Sequence, residues 1–487
     1  MPHSLRRHYF RRLVLLVGAL LLAQLMERPK LRAQSLPAAG AGTVTPAWQD
    51  SAYRPAFATL PQDDYWNLRR MPRKQHLKQL PVAGLDSARV SFSGTAYLLF
   101  DLLVNSSFGD LPGYDPILNR RANVFADVQF NSRWRFFGGL KHGGISFFNF
   151  ESGGRNRDDL DVHQAFIEYA AGTPGRKGGR WLLRAGRQEL RFGSGRIFGN
   201  RNGVNVRDDH TGALFRHWGK AGRTEAFFVF ENEDGTGFFD NHVQPDRRHW
   251  GIYREHRLGA GSLDYYYFGY DLPGAAYNTR EGRDRRHLLG VRWHRLTKFT
   301  GWAWDFELTG QVGEFAGRPA RGLSFAFDGG YRFEDVAGQP FLGVRGGITS
   351  GDRDSTDRRQ TTFRAPNPPA LFFGDTNPFG PGNLAGVWIH SDIVLFKRLS
   401  VSPRTVYYWR VEEQDAIYST TNGILRPGAG RANYLGREYG LVLSAPLSPH
   451  VVFSSKYATF RTSSGFFGEN SPGKDIEVYE VFLQYTF

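Results

Sequence analysis

The chain contains no cysteine and only 3 methionines in 487 residues. The absence of cysteine excludes a disulfide framework, a thiolate metal site and a cysteine nucleophile. After the first 30 residues there is no apolar run of helical length, so nothing beyond that point crosses a bilayer as a helix. HExxH, a Walker A loop and G-x-S-x-G are also missing. "GPGNLAG" at 380–386 has the wrong spacing for a dinucleotide turn, and no βαβ pattern surrounds it. Asp208, Asp209 and His210 stand together without a nucleophile motif and read as a polar loop mouth. No catalytic residue, metal ligand set or cofactor is expected. "GDRDSTD", with Asp352, Asp354 and Asp357, loosely follows a calcium loop but reads as a solvated external loop.

Glycine and aromatic residues are abundant instead. Glycine supplies 58 residues and Phe, Tyr and Trp together 15%, a combination that fits many strands, many turns and interfacial girdles. The mean hydropathy of −0.44 does not exclude a membrane, because a wide barrel needs only alternate residues to be apolar. "RRHYFRR" followed by "LVLLVGALLLAQLM" has the form of a signal peptide, with cleavage near Ala33. Residues 1–33 hold seven basic residues and one acidic residue, so their removal lowers the net charge from +15 to +9. The remaining chain is still basic, which favours anionic partners. Residues 34–87 are Pro- and Ala-rich, then basic, and read as a periplasmic lead without a sustained strand pattern.

From Ala88 to Phe487 the pattern is almost all strand. In "NVFADVQFNSRWRFFGGLK", Val124, Ala126, Val128, Phe130, Trp134, Phe136 and Leu140 alternate with Asp127, Gln129, Arg133, Arg135 and Lys141. "GWAWDFELTGQV" sets Trp302, Trp304, Phe306 and Leu308 against Asp305, Glu307, Thr309 and Gln311. Side chains on a strand alternate between two faces, so each segment has one greasy and one polar side. About 18 strands can be placed. Links after even-numbered strands are mostly tight turns, and links after odd-numbered strands are mostly long and polar. The spacing predicts an all-β fold: a single antiparallel transmembrane barrel of 18 strands, with short periplasmic turns and long extracellular loops. The terminal "EVYEVFLQYTF" must then pair with the first strand to close the ring, because neither edge can stand open in lipid.

Residues 183–212 carry the densest charge: Arg184, Arg187, Glu189, Arg191, Arg196, Arg201 and Arg207. In a strand, Arg187, Glu189 and Arg191 share a face. An arginine facing lipid costs about 2–4 kcal/mol at the bilayer midplane, so these should point inward or lie beyond it. Guanidinium groups along a lumen bind carboxylates or phosphates in a planar, bidentate way. The structural alternative is an Arg–Glu ladder that stiffens the barrel. Polar strand faces add Arg133, Arg135, Arg292, Arg345, Arg404, Arg410 and Lys456.

"RAGRQELRFGSGRIFGNRNGVNVR" resembles the signature of the alginate export family of outer-membrane barrels. "DVHQAFIEY", "GTGFFDN", "TSGDRDSTDRR", "DAIY", "NYLGREYGL" and "LSPHVVFSSKYATF" occur in matching order, so the resemblance spans roughly residues 53–487. It implies an 18-stranded barrel with a basic lumen that secretes an anionic polyuronate. The residues it singles out are Arg187, Glu189, Arg191, Arg196, Arg201 and Arg207. Expected partners are an anionic polysaccharide or small anions, outer-membrane lipid and lipopolysaccharide, the barrel assembly machinery and periplasmic export proteins, with no nucleic acid. A porin for small anions is the alternative. A barrel enzyme acting through His210 and an adhesive barrel without conductance are more remote readings.

Overall fold

The structure is a computed structural model. It describes residues 77–109, 115–146, 156–172, 179–200, 205–278, 280–295, 301–354, 356–368, 374–376, 378–396, 398–428, 432–464 and 473–487. The expected signal peptide and most of the lead lie outside the described residues.

Eighteen long strands follow one another in chain order. The first six are β1 (Leu85–Val104), β2 (Asp115–Gln129), β3 (Trp134–Ser146), β4 (Asp158–Gly172), β5 (Arg180–Gln188) and β6 (His210–Gly219). Next come β7 (Gly222–Glu233), β8 (His242–Leu258), β9 (Gly261–Tyr277), β10 (Arg280–Arg295), β11 (Gly301–Phe315) and β12 (Arg318–Arg332). The ring ends with β13 (Phe341–Thr349), β14 (Leu384–Leu395), β15 (Leu399–Arg410), β16 (Tyr434–Pro446), β17 (Val451–Thr462) and β18 (Ile476–Thr486). Each pairs antiparallel with its neighbours, and β18 pairs with β1 from Thr95↔Thr486 to Val104↔Glu477. The fold is the closed 18-stranded antiparallel barrel that the alternation and link lengths predict.

The faces are inverted relative to a water-soluble protein. On β11 Trp302 is 63% exposed and Leu308 44%, whereas Asp305 is 3% exposed and Glu307 5%. On β3 Phe136 is 40% exposed and Arg135 only 2%. A surface of large apolar residues on most of the strands is stable only against lipid.

Links after even-numbered strands are two to eight residues long, and those after odd-numbered strands run to 34. Two links on the long side break the pattern: only two residues separate β9 from β10, and two, 316–317, separate β11 from β12. There β9 to β12 rise as two extended hairpins. At the seam Phe487 exchanges backbone hydrogen bonds with Gly94 (3.2 and 3.1 Å). A Cβ on Gly94 would lie 2.6 Å from the Phe487 ring, so the last aromatic closes against a glycine. One expectation is corrected here. The lead contributes a short strand, Leu80–Val82, that hairpins onto the start of β1, and β1 itself begins three residues before Ala88.

The described parts of two long links pack against inward-facing side chains of the barrel. Residues 189–209 lay Phe192 and Phe198 on inward aromatics of β7 to β9, with Phe192 stacked on Phe227 at 4.5 Å and Tyr266 on Phe268 at 4.8 Å. Residues 350–383 bring Phe363 to the same cluster and Phe379 to a second one with Phe108, Tyr408 and Phe460. Burying each Phe contributes roughly 1.5–3 kcal/mol, which holds these segments without regular secondary structure. The two links also bond to each other: Gly199 N–H donates to the Asn367 carbonyl (2.8 Å) and Asn367 N–H to the Ile197 carbonyl (3.2 Å).

Candidate functional site

The site grows from the end of β5. After Gln188 the chain leaves the sheet and turns at Gly193 (φ 55°) and Gly195 (φ 79°). A Cβ at Gly193 would fall 2.1 Å from the Tyr253 hydroxyl, so only glycine lets this turn rest on the aromatic bed. Ser194 Oγ donates to Glu307 Oε2 (2.7 Å), and the Arg196 guanidinium reaches Asp305 (3.2 Å) and Glu307 (3.1 Å) on β11. These contacts fix Arg191, whose Nη2 donates to the Ser194 carbonyl at 2.6 Å.

Arg191 is electrostatically unlike its neighbours. The charges acting on it are the guanidinium groups of Arg292, Arg196 and Arg207, and no carboxylate pairs with it among the described residues. Burial first, and then those three cations, push its pKa down to about 10. The neighbours are themselves matched. Arg292 pairs with Asp305 (2.8 Å) and Asp264 (3.2 Å), and Arg207 with Glu189 (2.8 Å).

Cations continue to either side of this group. Arg121 on β2 lies close to Arg207 and covers the Tyr97 ring at 4.1 Å. Arg345 on β13 lies near both Arg196 and Arg404, pairs with Asp328 (3.0 Å) and covers the Trp388 ring at 4.5 Å. Arg404 pairs with Asp375 (2.7 Å), and Lys456 on β17 with Glu480 (2.5 Å). The basic side chains thus run from β2 through the folded-in loop to β10, β13, β15 and β17. Such a series can exchange hydrogen bonds with carboxylates or phosphates passing along it.

The residues singled out from the sequence separate into distinct environments. Arg187, Glu189 and Arg191 do not share a strand face, because β5 stops at Gln188 and the last two belong to the loop. Arg187 joins a cluster at the long-loop end, with Asp209 (2.7 Å), Asp161 (3.5 Å) and Asp234 (3.8 Å), where Lys141 also bonds Asp234 at 2.5 Å. Glu189 is buried and accepts from His163 (2.7 Å) and Arg207. Arg135 is buried between Asp127 (2.9 Å) and Glu168 (2.7 Å), and Arg184 shares Glu168 (2.6 Å). Arg133 lies exposed in the turn between β2 and β3, away from any strand face. Arg201 lies outside the described residues. Arg410 donates to the Glu413 carbonyl (2.8 Å) at the end of β15.

Arg121 and Tyr97 were missed, although the alternation in "NRRANVF" already puts Arg121 on the face of Asn123 and Asp127. His210 packs on Phe198 and His249, while Asp209 is committed to Arg187. Asp354 caps Thr356 and Asp352 bonds Thr361, so the acidic loop does not converge on one point. Among the described residues no three acidic or histidine side chains are grouped to hold a metal.

The sequence pattern of the family described as "Alginate export" matches residues 104–475. Comparison with curated proteins gives no match. Among solved structures, OccK9 (OpdG) from Pseudomonas aeruginosa superposes with a TM-score of 0.56 at 12% identity, covering 82% of this chain and 98% of that one. OccAB2 from Acinetobacter baumannii gives 0.55 at 10% identity, with coverage of 82% and 98%. OpdO from Pseudomonas aeruginosa gives 0.54 at 12%, with 83% and 98%. At these identities the likeness concerns the fold alone. With the closed barrel, its apolar outer face and its polar interior, the match over most of the sequence makes the chain an outer-membrane channel that belongs to the alginate export family.

Proposed function

We propose that the barrel passively exports an anionic, polyuronate-type polysaccharide along the basic series from Arg121 through Arg207, Arg191, Arg196 and Arg345 to Arg404. The observation that carries this reading is Arg191: a half-buried guanidinium among three others, with no carboxylate paired to it among the described residues. It favours a mobile anion at that point. The ion-paired neighbours supply weak, exchangeable contacts, and weak multi-site binding lets a polymer enter and leave. Glu189 acts as a spacer that keeps Arg207 oriented. Driving force comes from synthesis or a gradient on either side.

A small-anion channel is the second reading. The bonds between Gly199 and Asn367 favour it, since they tie two inward loops together and narrow the space open to a polymer.

Single-channel current in a planar bilayer, before and after adding polyuronate oligomers, tests both. Anion-selective current blocked by the oligomers, with block weakened in Arg191→Ala, supports polysaccharide passage. Anion-selective current indifferent to the oligomers sinks that reading and leaves the small-anion channel.

A further inference from the structure

The outer wall of the barrel carries a groove of about 880 Å³ near the short-turn ends of β10 to β15. Its volume is within the range of ligand pockets, about 300–1,000 Å³. Register explains the groove. Across the outward face one row runs Arg295, Trp304, Gly329, Val344, Ile389 and Thr405, each paired with the next. Gly329 interrupts that row with no side chain, between Trp304 and Val344. A Cβ there would meet only the Ala303 carbonyl at 3.5 Å, an ordinary contact, so the space is open rather than sterically required.

The next row toward the rim is aromatic: Trp302 packs edge-on against Tyr331 (5.2 Å), and Tyr331 against Phe333 (4.9 Å). Gly329 lies three residues from the end of β12, about 10 Å along the strand. An aromatic girdle at that depth marks the boundary between acyl chains and head groups. The short turns are periplasmic, so the leaflet concerned is the inner one.

The polar end of the groove supplies the second observation. Arg295 closes the row at the end of β10 and lies over the Trp304 ring at 5.4 Å. It has no carboxylate partner among the described residues, where most arginines on the polar face of the same wall are paired. Among the described residues the buried Trp304 indole N–H likewise has no acceptor. An apolar slot ending in an unneutralised guanidinium is complementary to one chemistry: two acyl chains below a phosphate.

We infer that this groove is a specific binding site for an inner-leaflet glycerophospholipid, with acyl chain over Gly329 and phosphate on Arg295. The site is independent of whatever passes through the lumen. It requires only the outward face of β10 to β15.

The full-length protein, purified in mild detergent and examined by native mass spectrometry with added phosphatidylglycerol or uncharged diacylglycerol, tests this. Wild type is expected to retain one phosphatidylglycerol. Gly329→Leu fills the slot and should lower retention of both lipids about ten-fold, while Arg295→Gln should lower only that of phosphatidylglycerol, by a similar factor. Ala385→Leu, on the lipid face of β14 outside the groove, serves as the control and should bind as wild type. Heat-modifiable gel mobility verifies that each variant is folded. Equal retention by Gly329→Leu and wild type overturns the site. So does a preference for lipid A over phosphatidylglycerol, or a dimer that Gly329→Leu abolishes.

Discussion

Arg187 and Arg191 stand four positions apart in one arginine-rich stretch, yet the fold gives them opposite situations. Arg187, at the end of β5, lies among Asp209, Asp161 and Asp234. Arg191, just past the strand, has guanidinium groups around it and, among the described residues, bonds the Ser194 carbonyl rather than a carboxylate. Identical residues in one motif therefore do different work. The first holds a loop to the barrel rim, and the second is the residue proposed to meet an anion. A buried cation matched by acids is structural because removing it leaves charges stranded. A cation with no carboxylate paired to it among the described residues strands no charge there when it is removed.

Substitutions should separate the two. Arg187→Ala leaves three buried or half-buried carboxylates short of a counter-charge and should cost about 3 kcal/mol in unfolding free energy, measured by denaturant titration of the folded barrel. An unchanged midpoint would mean that the rim cluster reorganises around Lys141. Arg191→Ala should leave the midpoint within about 0.5 kcal/mol but lower the anion-to-cation permeability ratio about three-fold, read from reversal potentials in a salt gradient. Arg191→Glu should move that ratio further in the same direction. If Arg191→Ala loses stability and keeps selectivity, the contrast between the two residues is wrong.

The two inward loops extend the comparison to pH. In the link 189–209, Arg196 and Arg207 are anchored by ion pairs, whereas the link 350–383 carries near its start Asp352, whose neighbour is the Asp415 carboxylate. Burial, and next Asp415, raise the Asp352 pKa from 3.8 to about 6. The folded loop then holds a proton that the unfolded loop releases, so its attachment is strongest below pH 3.8 and weakens as pH rises to about 6. Protection factors of the described amides between Ser350 and Phe363, taken as exchange relative to the intrinsic rate at each pH, should be lower at pH 7.5 than at pH 4.5, and Asp352→Asn should remove the difference. The smallest effect is expected at Arg133. Exposed in its turn, it should change to Ala within about 0.5 kcal/mol in stability, with no shift in selectivity.

Much of the architecture was legible because it is local. Alternation in "GWAWDFELTGQV" assigns lipid and lumen faces to β11 without any knowledge of the neighbouring strands, and tight turns such as Gly219–Gly222 fix which ends are short. The reading failed where regularity ended. Treating Glu189 and Arg191 as strand residues extended an alternation past Gln188, where Gly193 and Gly195 turn the chain inward. The lead shows no strand pattern in the sequence because three residues, Leu80–Val82, are too few to show a period. They form a strand only because β1 offers an edge beside them.

The sequence by itself determined a closed barrel, its even strand number, its greasy outer face and the location of its arginines. Each follows from a period of two residues and from the cost of an open edge in lipid. Only the tertiary structure decided which arginines are neutralised. Arg196 meets Glu307 across 111 positions of chain, and Arg187 meets Asp209 across 22. Ion pairing acts over a few ångströms, and those distances are set by register around the ring and by how two loops fold inside it. The same holds for the lipid groove. Gly329 carries no signal until three neighbouring strands align its gap with Arg295.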